Sequence, residues 1–90
     1  MNYLVSYDLN SPGKNYDDLY EAIKNASNGT WCKPLSSVYI IKSNLSATAI
    51  YNRLKPCLDD NDCILVIEVT KESYWYLNKE ISDYLYQMLQ

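Results

Sequence analysis

Asp8 is the residue of this chain best placed to do chemistry. It ends an alternating apolar segment that begins at Tyr3, and a proline and a glycine follow within residues 10–14. The pattern predicts a carboxylate at the C-terminal lip of a strand, just before a loop. Such a carboxylate either binds a cation such as Mg²⁺, which prefers oxygen ligands, or caps its own turn by accepting a hydrogen bond from the backbone of Asn10 or Ser11.

Three further side chains could contribute to a site at Asp8. Ser6, Tyr7 and Ser37 lie in predicted strands. Tyr7 and Ser37 are the candidate substrate-binding residues, because metal-assisted hydrolysis needs groups that orient the substrate. The plainer interpretation is that small polar residues on a sheet face meet solvent or a partner. The chain has no histidine, which excludes histidine-based acid–base or nucleophilic machinery.

Two other groups of residues resemble metal ligands in composition. Residues 59–62 read Asp-Asp-Asn-Asp, but the glycine and the distal glutamate of an EF-hand are missing, so we interpret the run as a solvated turn. Cys32, Cys57 and Cys63 are odd in number and lack Cys-x-x-Cys spacing, which argues against zinc. We expect reduced, mostly buried thiols in a cytoplasmic protein.

Composition bounds the class of protein. The 90 residues predict one domain, and a chain that is 48% hydrophobic and 21% charged is not disordered. The net charge of −3 disfavours nucleic-acid binding, although a local basic face can still form. The chain shows neither a secretory signal pattern nor an apolar run of membrane length. We therefore predict a cytoplasmic location and no membrane partner.

Ten tyrosines and two tryptophans, with no phenylalanine, are the other unusual feature. Aromatic side chains stack on single-stranded bases and also anchor protein interfaces. Because basic residues are sparse, we prefer an interface, and Trp75, Tyr76 and Tyr86 are its candidate residues. A plainer alternative is that most tyrosines are half-buried, with their hydroxyls in water.

Apolar periodicity arranges the chain as βαββαβ followed by a final helix. The predicted strands cover about residues 2–9, 30–32, 37–42 and 63–69, helices follow caps at Asn15 and Ser46, and a last helix covers about 73–90. We expect a hairpin turn at residues 33–36 and a fourth strand covered on both faces. This order is typical of an α+β, ferredoxin-like fold, a four-stranded antiparallel sheet with two helices on one face. The other face needs either the terminal helix or a second copy.

At this point the chain resembles a known family. Residues 3–9, Tyr-Leu-Val-Ser-Tyr-Asp-Leu, resemble the N-terminal strand of the small CRISPR-associated Cas-two proteins, and residues 37–39 are similar to their third strand. Asp62, which leads into an apolar strand, also matches. The chain is similar as well to SinR-like, Cas-two-like proteins, which carry an acidic run comparable to residues 59–62. The resemblance covers roughly residues 2–70.

The resemblance implies a ferredoxin-like homodimer in which Asp8 pairs with the same residue of the second subunit to bind Mg²⁺. The wider family includes ribonuclease-like toxins of the VapD type and the DNA-integration scaffold of CRISPR adaptation. It therefore implies a magnesium-dependent endonuclease acting on RNA or DNA, with Asp8 as catalytic and metal-binding residue. This chain departs from the family in its acidic charge and in a helical tail that replaces the usual fifth strand.

The acidic exterior supports a second hypothesis, that of a non-enzymatic interaction protein. An acidic, tyrosine-rich dimer would bind the basic surface of a nucleic-acid-binding protein by imitating phosphate charge. A phage or plasmid inhibitor of a host-defence protein, or one component of a toxin–antitoxin pair, would fit that description.

Overall fold

The computed structural model describes all 90 residues as a single sheet with helices on both faces. The elements in chain order are β1 (Asn2–Asp8), α1 (Asp17–Ala26), β2 (Trp31–Leu35), β3 (Val38–Lys42), α2 (Ala47–Leu54), β4 (Cys63–Val69) and α3 (Lys79–Met88). The strand order is β2-β3-β1-β4, and all neighbouring strands are antiparallel. The predicted α+β, ferredoxin-like architecture is confirmed.

Local capping signals set the ends of the internal helices. The Ser46 side chain accepts a backbone hydrogen bond at 3.1 Å and caps α2 as predicted. A short 3-10 turn that contains Pro56 follows α2, because proline has no amide hydrogen to continue the helix. Asn15 accepts a hydrogen bond from the Asp17 amide at 2.8 Å, but the N-cap of α1 is Tyr16, one residue later than predicted.

The three helices lack the combination of length and apolar character that a membrane-spanning helix requires.

The second strand is longer than its sequence pattern indicated. β2 continues through Pro34 to Leu35, so the turn to β3 falls at residues 36–37 and not at 33–36. The pairing of β2 with β3 shifts register between Cys32 and Leu35, the segment where Pro34 cannot donate to the ladder. The proline is tolerated because β2 is an edge strand.

The larger core lies between the sheet and helices α1 and α2. Alternation along β1 sends Tyr3, Val5 and Tyr7 to this side. They pack with buried residues of β3 and of the two helices, namely Leu19, Ile23, Ala26, Tyr39, Ile41, Ile50 and Leu54. Each fully buried aliphatic side chain contributes about 1.5–3 kcal/mol relative to an exposed one. This face therefore fixes how the helices sit on the sheet.

The opposite sheet face carries a smaller core beneath the terminal helix. Cys32 and Ile40 from the sheet pack against Leu85, Met88 and Leu89. Ile40 points away from the larger core because neighbouring strand residues alternate between faces. The terminal helix α3 therefore covers the outer face of its own sheet.

The terminal helix is shorter than predicted. The sequence indicated a helix over about 73–90, whereas α3 covers Lys79–Met88, and residues 70–78 form an irregular segment, here called the strap. The Asn78 side chain accepts a hydrogen bond from the Ile81 amide at 3.0 Å and so fixes the start of α3. The aromatic residues of the strap lie before this cap, outside the helix.

The cover provided by α3 and the strap reaches β4 only at Val69. Leu65 and Ile67 share the outer face with Ser6 and Leu4, their partners in the β1–β4 register, and they are 52% and 49% exposed. The prediction that both faces of this strand are covered is therefore wrong. An apolar run is buried only where another layer reaches it, and β4 is an edge strand. The uncovered area, here called the open patch, comprises Ser6, Asp8, Cys63, Leu65 and Ile67.

Two tyrosines of β1 differ in how their hydroxyl groups are satisfied. The Tyr3 hydroxyl donates a hydrogen bond to the Leu45 carbonyl at 2.8 Å, whereas the Tyr7 hydroxyl is buried without a partner. Burial, with smaller contributions from nearby Tyr20 and Tyr39, raises the pKa of Tyr7 to about 12. A buried polar group without a partner costs about 1–3 kcal/mol.

We predict opposite effects of the same substitution at these two positions. Tyr7→Phe should raise the free energy of unfolding by about 1–2 kcal/mol, because it removes an unpaired buried hydroxyl. Tyr3→Phe should lower it by about 1 kcal/mol, because the Leu45 carbonyl loses its donor. Urea unfolding of both variants beside the parent protein measures these changes. Destabilisation by Tyr7→Phe would contradict the assignment of its hydroxyl as unpaired.

Candidate functional site

Asp8 is the last residue of β1, and its side chain is exposed. It faces Cys63 in the β1–β4 register and shares the outer sheet face with Ser6. A shallow depression of about 340 Å³ at this strand end is lined by Ser6, Tyr7, Asp8, Cys63, Ile64 and Leu65. The carboxylate takes part in none of the ion pairs of the protein. It is therefore accessible to a ligand from solvent.

The alternative in which Asp8 caps its own turn is wrong. The two amides that would donate to it are bonded elsewhere, since the Asn10 amide donates to Asp62 Oδ1 at 2.8 Å and the Ser11 amide donates to the Tyr16 hydroxyl at 3.2 Å. Asp62 lies 52 positions from Asn10 in the sequence, so local turn chemistry could not reveal this partner. The capping role belongs to a different aspartate.

Asp62 organises the loops at this end of the sheet. Its Oδ1 also accepts a hydrogen bond from the Tyr16 hydroxyl at 2.7 Å, and its Oδ2 accepts one from the Asp59 amide at 2.8 Å. Partial desolvation opposes ionisation, but the hydrogen bonds and the charge of Lys14 prevail and hold the pKa of Asp62 below its ordinary value. Residues 59–61 are exposed, as predicted for a solvated turn, while Asp62 is partly buried and bonded to both loops.

Lys14, in the loop after β1, also contacts the segment before β4. Its Nζ lies 3.0 Å from Asp59 Oδ1 and donates to the Cys57 carbonyl at 3.0 Å. The hydrogen bond from Lys14 lowers the pKa of Asp59, with a further hydrogen bond from Ser11. Pairs this exposed add little to stability. Their effect is positional, because they hold the loop after β1 against the loop before β4.

The structure does not assemble the other predicted site residues around Asp8. Ser6 shares its face, but the Tyr7 side chain enters the larger core, so the sheet lies between the Tyr7 hydroxyl and the Asp8 carboxylate. Ser37 is exposed in the turn before β3, where its carbonyl accepts a hydrogen bond from the Tyr7 amide at 3.1 Å. Only Ser6 and Asp8 present side chains on the same surface.

A single copy of the chain offers Asp8 few partners for a metal ion. The structure contains no group of three or more histidine, cysteine, aspartate or glutamate side chains that could hold one. Mg²⁺ keeps several waters and is bound through as few as one or two carboxylates. Two Asp8 carboxylates from two copies would supply a donor set of that chemistry. The neighbouring Cys63 would not add to it, because thiolates favour softer metals.

The three thiols occupy three different environments. All are free, with Cys32 buried, Cys57 half-buried and Cys63 exposed. Burial raises the pKa of the Cys32 thiol. The prediction of mostly buried thiols is wrong for Cys63, because the edge position of β4 leaves its outer face uncovered.

The predicted interface residues also fall into two classes. Tyr76 is fully exposed and Tyr86 is 62% exposed, whereas Trp75 is half-buried and its Nε1 donates to Ser82 Oγ at 3.0 Å. Tyr74, which we did not single out from the sequence, is as exposed as Tyr76. Alternation of outward and inward side chains is typical of an extended segment. That spacing is the signal that could have identified Tyr74.

No protein-family model matches the chain, and no curated protein matches its sequence.

We predict that Asp62 makes stability depend on pH in acid. Because its folded-state pKa lies below the ordinary value of 3.8, its contribution is fully present above that pH and is lost as the pH falls through the folded-state pKa. Asp62→Asn should lower the urea midpoint of unfolding at about pH 6. Between about pH 4 and 2, the midpoint of this variant should fall less steeply with decreasing pH than that of the parent protein.

The matched control is Asp60→Asn, which changes an exposed carboxyl in the same loop. Urea midpoints measured across the acid range should be the same for this variant and for the parent protein. If Asp62→Asn also follows the parent at every pH, Asp62 does not anchor the two loops.

Proposed function

We propose that the protein is a homodimeric, magnesium-dependent nuclease of the Cas-two-like type, in which Asp8 of each copy binds the metal. The observation that carries this proposal is the position of Asp8. It is an exposed carboxylate at the rim of an apolar sheet face that α3 leaves uncovered. Phosphodiester bonds of RNA or DNA are the substrate class that such a site serves.

Leu65 and Ile67 favour a second copy as the cover of the open patch. Each is about half exposed. Both lie on the edge strand β4, whose first residue, Cys63, is paired with Asp8 in the sheet. A self-complementary face packed across a twofold axis would bury these side chains and bring two Asp8 residues together. A domain of this size gains much from extra burial, because small domains bury a smaller fraction of their surface.

The chain's own residues would have a limited role in the chemistry. A magnesium ion held between two Asp8 carboxylates would lower the pKa of a coordinated water and offset phosphate charge. Tyr7 is not a base for this site, because its pKa is about 12 and its side chain lies on the other sheet face. Ser6 is the side chain placed to orient a substrate. Because so few side chains would contribute to catalysis, we expect slow turnover.

We predict that Asp8→Asn abolishes metal-dependent cleavage. The parent protein is incubated with labelled single-stranded RNA and with duplex DNA, in Mg²⁺ and in EDTA. Cleavage should require Mg²⁺ and fall at least about 100-fold in the variant, because a neutral amide is a poorer ligand for Mg²⁺ than a carboxylate. Asp60→Asn removes an exposed charge of the same sign elsewhere and should keep the activity. Cleavage that survives in Asp8→Asn would refute Asp8 as the metal ligand.

We also predict that Leu65→Arg converts a dimer into a monomer. The parent protein should be dimeric at micromolar concentration by light scattering, and the variant should be monomeric because the new charges would be buried without partners at the twofold axis. Tyr51→Arg is the control, since Tyr51 is exposed on α2, away from the open patch. A monomeric parent would exclude the paired Asp8 site.

The exposed tyrosines of the strap favour a second candidate, a non-enzymatic interaction protein. Tyr74 and Tyr76 are 99% and 102% exposed, and tyrosine is enriched among interface residues that carry binding energy. The net charge of −3 would suit a basic partner surface. Replacing both tyrosines with serine would then abolish partner binding while Asp8→Asn left it intact, the reverse of what the nuclease requires.

A further inference from the structure

A separate apolar cavity lies between the outer sheet face, the strap and α3, and it is open to solvent on the side lined by the exposed Leu35 and Tyr74. Its volume is about 230 Å³, and ten of its twelve lining residues are hydrophobic. Leu4, Val38 and Val69 line it from the sheet, while Trp75 and Leu85 line it from the strap and from α3. These side chains belong to or pack against the smaller core. The cavity is distinct from the open patch, because it contains neither Asp8 nor Leu65.

The lining restricts the chemistry of an occupant. No charged side chain contributes to it, so an ion that entered it would lose part of its hydration without gaining an oppositely charged partner. Its polar side chains are largely committed, since Ser73 Oγ donates to the Thr70 carbonyl at 3.0 Å and Trp75 Nε1 donates to Ser82 Oγ. Water needs two to four polar partners to be held in a cavity. An apolar, uncharged lining of this kind is therefore best matched by a neutral, apolar molecule.

The volume sets the size of that molecule. An apolar cavity of about 150 Å³ in another protein stays dry and takes up benzene. Scaled to the larger volume here, the occupant has about nine heavy atoms. A ligand that binds only the folded chain at this cavity also stabilises the folded state.

The strap is the wall of the cavity with the fewest backbone hydrogen bonds. Within residues 73–77 the only backbone hydrogen bond runs from the Ser73 amide to the Lys71 carbonyl, inside the strap itself. Packing of Trp75 and Leu77 holds this segment on the sheet. Segments without backbone hydrogen bonds to their surroundings open at lower free energy than helices and strands do.

We propose that this cavity is a binding site for a neutral, apolar molecule of about nine heavy atoms, with the strap as its movable cover. The site is independent of the nuclease proposal, because it shares no residue with the open patch.

Methyl NMR with two matched probes tests this proposal. Indene is a neutral hydrocarbon of the required size, and benzoate has the same number of heavy atoms but carries a charge. Indene should shift the methyl resonances of Val38, Val69 and Leu85 in a saturable manner and leave those of Ile23 and Leu54, in the larger core, unchanged. Benzoate should cause no saturable shift. Saturation by benzoate, or indene shifts confined to the larger core, would overturn the proposal.

A pair of substitutions on β4 locates the bound probe. Val69→Phe fills the cavity and should weaken indene binding at least tenfold, whereas Ile67→Phe, on the same strand and face but outside the cavity, should change the affinity less than twofold. If Val69→Phe does not fold, Val38→Leu fills part of the same space and should weaken binding in the same direction. Equal affinity in the cavity-filling and control variants would refute the site. Cavity methyl shifts that follow protein concentration alone would assign the groove to a second copy instead.

Discussion

The hydrogen bonds of one carboxylate, that of Asp62, set the geometry on which the candidate site depends. Asp62 accepts hydrogen bonds from the Asn10 amide and from the Tyr16 hydroxyl, and these bonds hold the loop after β1 against the loop before β4. Because the amides after Asp8 are already bonded, the Asp8 carboxylate stays exposed at the end of its strand. At this edge of the sheet Asp62 therefore holds the loops in place, while Asp8 remains accessible to a ligand.

The reach of α3 is the second constraint, and it gives the outer sheet face two different surfaces. Where α3 and the strap lie over the sheet, their side chains line an apolar cavity that includes Val69. Two residues earlier on the same strand, Ile67 is half exposed in the open patch. The helix packs over Cys32 and Ile40 of β2 and β3, and its width of about 10 Å is less than the roughly 14 Å that four strands span. The uncovered remainder is the open patch, where Leu65 and Ile67 are about half exposed.

The elements that depend on neighbouring residues could be predicted from the sequence, and those that depend on distant ones could not. The βαββαβ order and the Ser46 cap were both predicted, and each follows from local periodicity or capping chemistry. The start of α3 was placed too early, because aromatic residues of an extended strap can imitate helical spacing. The burial of β4 was overstated, since an apolar run does not reveal how far its covering layer extends.

For the candidate site, the sequence by itself determined that an aspartate ends the first strand and that no histidine is present to act beside it. Only the tertiary structure decided that Tyr7 faces the opposite side of the sheet from Asp8, that Asp62 takes the local amides, and that Leu65 and Ile67 remain open to solvent. The physical reason is range. Strand alternation and capping act over a few residues, whereas hydrogen bonds between loops 52 positions apart and the packing of a terminal helix exist only once the chain has folded.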